Sequence, residues 1–182
     1  EVVGGANDRA FHGARNALAT ALARVDPPAA LKLIDVPAQQ PYEHDRLRVE
    51  IARRLAATNP AEARRLLGLV EENRRSSARR DVCVRMAEKD LPAARALAAE
   101  ANDPTLAAVL PAFSARALAD ADPSAARELL RESVEKIAEL DYSPAFPPSP
   151  AVLLGRLLPL VVRLDPDRAS SCLWLALSRR SP

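Results

Sequence analysis

The stretch LADADPSAARELL, residues 118–130, places an acid and a proline between two segments that both have helical character. Aspartate is a preferred N-cap, because its side-chain oxygen accepts hydrogen bonds from the free amides of the next first turn. Proline at the first helical position loses no hydrogen bond, and it disfavours helical geometry in the residue before it. Asp122-Pro123 therefore predicts the end of one helix and the start of the next, with almost no loop between them.

Near-copies of this step occur five times along the chain and align without gaps. The residues that open each copy, called anchors below, are Asp26, Asn59, Asp90, Asp122 and Asp165. Alanine stands four places after every anchor, and pairs of mainly apolar residues recur seven and eight places after it, four and three places before it, and eight and seven places before it. Apolar residues three or four apart share one helical face. Each unit is therefore predicted to be a helical hairpin.

The first four anchors are 31 to 33 residues apart, and this period is typical of a stacked α-solenoid, because one hairpin cannot bury both of its apolar faces. The pattern Φ-A-x-x-Φ-A-x-x-D-P-x-x-A-x-x-L-L resembles tetratricopeptide-type repeats, and HEAT-like repeats are nearly as close. The large aromatic residue and the glycines that mark tetratricopeptide repeats are missing here. The resemblance implies an all-α, right-handed α-α superhelix of about five hairpins with a period of about 32 residues.

The hairpins are expected to form one α-solenoid domain over residues 1–182. Aromatic residues make up only 3% of the chain, which disfavours a large sheet. The last interval between anchors is 43 residues and holds a proline-rich insertion, DYSPAFPPSP, which we interpret as a stiff linker or alternatively as a ligand for an aromatic-lined groove. The predicted repeats cover residues 8–35, 41–73, 74–101, 103–140 and 150–180, with the insertion at 141–150.

Arginine provides the first candidate binding surface. The net charge of +2 is too small to indicate a polyanionic partner, but residues 46–85 hold eleven arginines against five acids. Three arginines stand eleven residues before their anchors and are predicted to form a ladder on the first helices of successive hairpins. Guanidinium groups in such a row would bind acidic peptides or phosphates, unless nearby acids balance them. The predicted surface comprises Arg15, Arg48, Arg53, Arg79, Arg80 and Arg85.

The last hairpin provides the second candidate surface. The stretch AVLLGRLLPLVVRL, residues 151–164, is apolar around most of its circumference, and helices of this kind are normally covered on several sides. We expect Leu154, Leu158 and Trp174 to contact another subunit or further chain. The alternative is that this hairpin packs only on its own neighbour.

Nothing in the sequence indicates catalysis. His12 and His44 have no carboxylate or cysteine at a metal-ligand spacing, and there is no phosphate loop or nucleophile elbow. Capping accounts for the repeated acids, and Cys83 and Cys172 fall at apolar positions that predict burial. We therefore expect no metal, no cofactor and no enzyme activity.

The expected function is a scaffold that binds proteins or peptides, acidic ones among them. One alternative is nucleic-acid binding through the basic middle repeats, and another is an accessory repeat segment of a larger protein. No apolar run approaches the roughly 18 residues of a membrane span, so we expect no membrane partner and favour a cytoplasmic location. The chain begins without methionine, which suggests a trimmed N-terminus.

Overall fold

The computed structural model describes residues 3–34, 41–141 and 148–178. Over these ranges the chain is helical and has no strand, which confirms the predicted all-α class. Residues 142–147, most of the predicted proline-rich linker, lie outside the described ranges. The helices are α1 (Val3–Val25), α2 (Pro27–Ile34), α3 (Pro41–Leu55), α4 (Pro60–Gly68), α5 (Glu72–Ala87), α6 (Leu91–Ala101), α7 (Pro104–Leu118), α8 (Pro123–Glu139), α9 (Pro150–Leu164) and α10 (Ala169–Ser178), with a 3-10 turn at Pro166–Arg168.

Contacts divide the chain into two compact units, Glu1–Val82 and Cys83–Pro182. In the first unit α1 packs on α2 and α3 packs on α4, and α3 also contacts both α1 and α2. In the second unit α7 packs on α8 and α9 packs on α10, while α7 contacts α6 and α9 contacts both α7 and α8. The first helix of a hairpin thus packs on the preceding hairpin at each of these junctions.

The predicted helix breaks occur at all five anchors, and four anchors cap the helix that follows. Each of these four accepts a hydrogen bond from the backbone N–H three residues later, at 3.0 Å for Asp26, 3.2 Å for Asn59, 2.9 Å for Asp90 and 3.0 Å for Asp122. One cap was not predicted: Asp103 accepts from the Leu106 N–H at 2.9 Å and opens α7. Local side-chain chemistry therefore sets the start of five described helices, α2, α4, α6, α7 and α8.

The fifth anchor, Asp165, is not a cap, and the prediction that capping accounts for every anchor is wrong here. Its carboxylate is buried and accepts hydrogen bonds from Arg131 on α8. The second helix of the last hairpin accordingly begins with a 3-10 turn. Ser149, which precedes Pro150 at the start of α9, also makes no side-chain capping hydrogen bond.

Alanines and two small polar residues lie among the large aliphatic side chains that are buried between helices. The alanines four places after the first four anchors are fully buried, and they are Ala30, Ala63, Ala94 and Ala126. A methyl group at this position allows close approach of neighbouring helices. Two buried hydroxyls are satisfied by carbonyls of neighbouring helices, because Ser114 donates to Ala87 and Ser133 donates to Ala108 at 2.6 Å.

Cys83 and Cys172 are both buried, as their apolar positions predicted. None of the described helices is both long enough and apolar enough to cross a lipid bilayer.

Candidate functional site

Arg15 and Arg48, the first two members of the predicted ladder, contact groups within their own unit. Arg15 Nη2 lies 3.3 Å from Nε2 of His44, which is buried on α3. Arg48 Nη1 lies 3.2 Å from Asp45 Oδ1 and donates to the Leu69 carbonyl at the same distance. Both guanidinium groups therefore connect helices of the first unit.

Asp45 is the centre of this arrangement and is buried at the start of α3. Its second carboxylate oxygen accepts from the Glu71 N–H at 3.1 Å and lies 3.7 Å from Arg74 Nη1. A buried carboxylate needs such partners, since an unpaired one would be costly. Asp45 thus connects α3 to the segment between α4 and α5, and its ion pair with Arg48 balances the buried charge.

The remaining predicted arginines differ in their surroundings. Arg53 pairs with Asp81 on α5 and lies 3.9 Å from Glu50. Arg79 is half-buried, and its Nε atom has no hydrogen-bond partner within the described residues.

Arg80 is exposed in the first unit, and Arg85 is exposed in the second. Arg15, Arg48 and Arg53 are thus held by intramolecular contacts. The binding role of the set stays a prediction.

The three apolar residues predicted as a contact surface lie in different environments. Leu154 is fully buried in the core of the second unit, so it cannot be part of an exposed contact surface. Leu158 is partly buried against the same core, whereas Trp174 is 73% exposed. The apolar residues that the last hairpin does expose are Val152, Val162, Leu173, Trp174 and Leu177.

The second unit contains an open cavity of about 320 Å³ between α8, the end of α9 and the start of α10, called the α8–α10 cavity below. Its apolar lining comprises Leu130, Val134, Ala138, Val161 and Leu175. Its other lining residues are Arg131, Glu135, Asp165, Arg168, Ser171 and Cys172. Ligand pockets span about 300 to 1,000 Å³, so this cavity has room for a small group such as a side chain.

Two ion pairs form part of the cavity wall. Arg131 donates from Nε to Asp165 Oδ2 at 2.6 Å and from Nη2 to Oδ1 at 3.2 Å, a bidentate geometry. Arg168 Nη1 donates to Glu135 Oε1 at 3.0 Å. The hydrogen bond from Arg131 lowers the pKa of Asp165 below its ordinary value, against the opposing effect of burial.

The thiol of Cys172 also lines the cavity, and burial raises its pKa above the ordinary value. The thiol form is therefore the stable one at neutral pH, and it behaves as a small apolar group. Within the described ranges no group of three or more histidine, cysteine or acidic residues is arranged to bind a metal.

The sequence did not predict the cavity or the roles of Arg131 and Arg168. One signal was present: the last anchor is followed by Asp167 and Arg168 where the fourth has Ser124 and Ala125, so its first turn is more highly charged. No protein-family model matches the chain, and no curated protein or solved structure is detectably similar to it.

Proposed function

We propose that this chain is a non-enzymatic helical-repeat protein, a right-handed α-solenoid of tetratricopeptide-like or HEAT-like hairpins, which binds a segment of another protein. The repeat is supported by the four capped anchors and by the buried alanines that follow them at a constant spacing. The α8–α10 cavity is the observation that carries the binding function, because it combines an apolar surface with hydrogen-bond donors.

The apolar lining selects the kind of group that enters. Val134 and Leu175 offer aliphatic surface and no hydrogen-bond donor, so the favoured occupant is an aliphatic side chain of the partner. A charged or amide side chain placed against this apolar lining would lose its hydration, and the lining itself offers it no hydrogen-bond partner.

The charged wall holds the backbone of the bound segment. Each arginine in the wall carries five N–H donors, and the ion pairs with Asp165 and Glu135 use only some of them. The remaining donors of Arg131 and Arg168 are suited to peptide carbonyls beside the inserted side chain. Since two arginines face two acids, the cavity does not by itself require an acidic partner.

Nucleic-acid or phosphate-backbone binding through the basic middle repeats is the second candidate, and it has less support. Arg48 and Arg53 already donate to intramolecular acids, so phosphate contacts would have to replace those ion pairs. The possibility that the chain is an accessory segment of a larger protein stays a prediction.

The binding proposal can be tested with an array of short peptides that differ only at a central residue. We expect the intact chain to prefer leucine, isoleucine or valine at that residue over alanine, aspartate and lysine. Val134→Glu should weaken binding of the best fluorescent peptide by about tenfold or more, or about 1.4 kcal/mol, because it places a carboxylate in the apolar lining. Fluorescence polarisation measures the dissociation constants.

Ser124→Glu is the matched control, since it adds the same charge to an exposed position in the first turn of α8, away from the cavity. It should leave peptide binding unchanged. Circular dichroism of both variants verifies that they fold. Equal binding by the two variants, or an array with no aliphatic preference, would contradict the proposal.

A further inference from the structure

The last hairpin exposes residues at positions that are buried in the earlier hairpins. Positions are counted from each anchor, so that −3 lies three residues before it and +8 lies eight after it. The −3 residues of the first four hairpins are buried, and they are Ala23, Ala56, Ala87 and Ala119. The +8 residues are buried in the second, third and fourth hairpins, and they are Leu67, Ala98 and Leu130. In the last hairpin, Val162 at −3 is 55% exposed and Leu173 at +8 is 46% exposed.

Contacts within the chain show what covers these positions when they are buried. The first helix of the next hairpin packs there: α3 on α1 and α2, α7 on α6, and α9 on α7 and α8. Two side-chain contacts fix the register. Ser114 at −8 of the fourth hairpin bonds the Ala87 carbonyl at −3 of the third, and Arg131 at +9 of the fourth bonds the anchor Asp165 of the fifth.

The first hairpin exposes the complementary surface. The −8 residues of the next three hairpins are buried, and they are Ile51, Val82 and Ser114. Leu18, the −8 residue of α1, is 52% exposed, and Ala14 at −12 is also exposed where Leu47, Ala78, Leu110 and Leu153 are buried. Exposed apolar residues continue along this stripe of α1 at spacings of three and four. The α1 face consists of Phe11, Ala14, Leu18, Ala21 and Val25.

We infer that a second copy of this chain docks head to tail, with the α1 face of one copy on the α9–α10 face of the other. The α9–α10 face consists of Val152, Val162, Leu173, Trp174 and Leu177. Ala14, Leu18, Val162 and Leu173 occupy positions that are buried at the junctions the chain makes between its own hairpins, and the other residues extend these two faces. In that register Leu18 of one copy contacts Val162 of the other, and Trp174 lies opposite Asp26.

This contact is heterologous, because it joins two different surfaces. In each pair of copies, one α1 face and one α9–α10 face therefore remain uncovered. Association can therefore continue beyond a dimer. The α10 residues that line the α8–α10 cavity, Ser171, Cys172 and Leu175, are not part of the α9–α10 face, so the two proposed contacts use different residues of this helix.

Two single substitutions and their mixture test this arrangement by sedimentation velocity. The intact chain should increase in mass with concentration, and Leu18→Glu or Val162→Glu alone should abolish that increase, because each blocks one of the two faces. An equimolar mixture of the two variants should form a dimer that does not grow further, since each variant keeps the face that the other lacks. The single tryptophan, Trp174, should shift its emission to shorter wavelength in the mixture.

Ala61→Glu, at an exposed position of α4 outside both faces, is the control and should associate like the unaltered chain. Circular dichroism verifies that every variant folds. A chain that stays monomeric at all concentrations would overturn the inference and leave the open faces to other proteins. Association lost in Leu18→Glu but kept in Val162→Glu, with no dimer in the mixture, would overturn it in favour of a symmetric contact between two α1 faces.

Discussion

The fourth and fifth hairpins use the same repeat positions for different purposes. Leu130 at +8 of the fourth hairpin is only 1% exposed, whereas Leu173 at +8 of the fifth is 46% exposed. The anchor Asp122 caps its own helix, whereas the anchor Asp165 binds Arg131 of the preceding hairpin. The difference shows that a residue's role here depends on which hairpin lies beside it as much as on its place in the repeat.

The largest expected effect is the difference in stability between the variants Leu130→Ala and Leu173→Ala. Leu130→Ala should lower the free energy of unfolding by about 2–5 kcal/mol, because it leaves a cavity in the core of the second unit. Leu173→Ala should change it by less than about 0.5 kcal/mol in dilute solution, since no such cavity forms at an exposed position. Urea denaturation followed by circular dichroism measures both values, and similar losses for the two variants would contradict the assigned difference in burial.

A smaller difference in thermal stability is expected between substitutions of the anchors Asp122 and Asp165. Asparagine caps helices as well as aspartate does, so Asp122→Asn should leave the thermal midpoint nearly unchanged. Asp165→Asn removes a carboxylate whose pKa is held below its ordinary value, chiefly by the hydrogen bond from Arg131. The ion pair is therefore fully stabilising above the ordinary carboxyl pKa, and its contribution disappears as the pH falls through the lowered pKa.

The expected result is a lower midpoint for Asp165→Asn at neutral pH and a difference from the unaltered chain that narrows in acid. Calorimetry over a series of pH values measures it. A difference that stays constant with pH, or an equal loss in Asp122→Asn, would show that the two anchors do not have separate roles.

The features that the sequence predicted correctly are local. The caps at Asn59, Asp90 and Asp122 depend on atoms three residues apart, and the buried alanines follow from the helical period. Both kinds of signal are visible in one stretch of chain. The helix ends and part of the core could therefore be placed before any contact between hairpins was known.

The features that the sequence missed depend on residues far apart in the chain. The residues next to Asp165 in the chain predict that it caps the following helix. Its actual partner, Arg131, is 34 residues earlier, and no local pattern connects the two. Helix α9 is apolar around most of its circumference, so its sequence does not show which side faces the core. Leu154, which was predicted to lie on a contact surface, is on the core side. The arginine contacts are more local: the sequence offered balancing by nearby acids as the alternative to an open arginine surface, and Asp45, three residues before Arg48, is such an acid.

The most direct test of the open faces is disulfide trapping between a Leu18→Cys chain and a Val162→Cys chain. The native Cys83 and Cys172 are buried and should react slowly. Disulfides need Cα atoms within about 4.4–6.8 Å, so only closely packed positions will join. Head-to-tail docking predicts rapid formation of the mixed disulfide between the two variants, identified by mass spectrometry. Disulfides between two Leu18→Cys chains only, or no cross-linking at all, would contradict it.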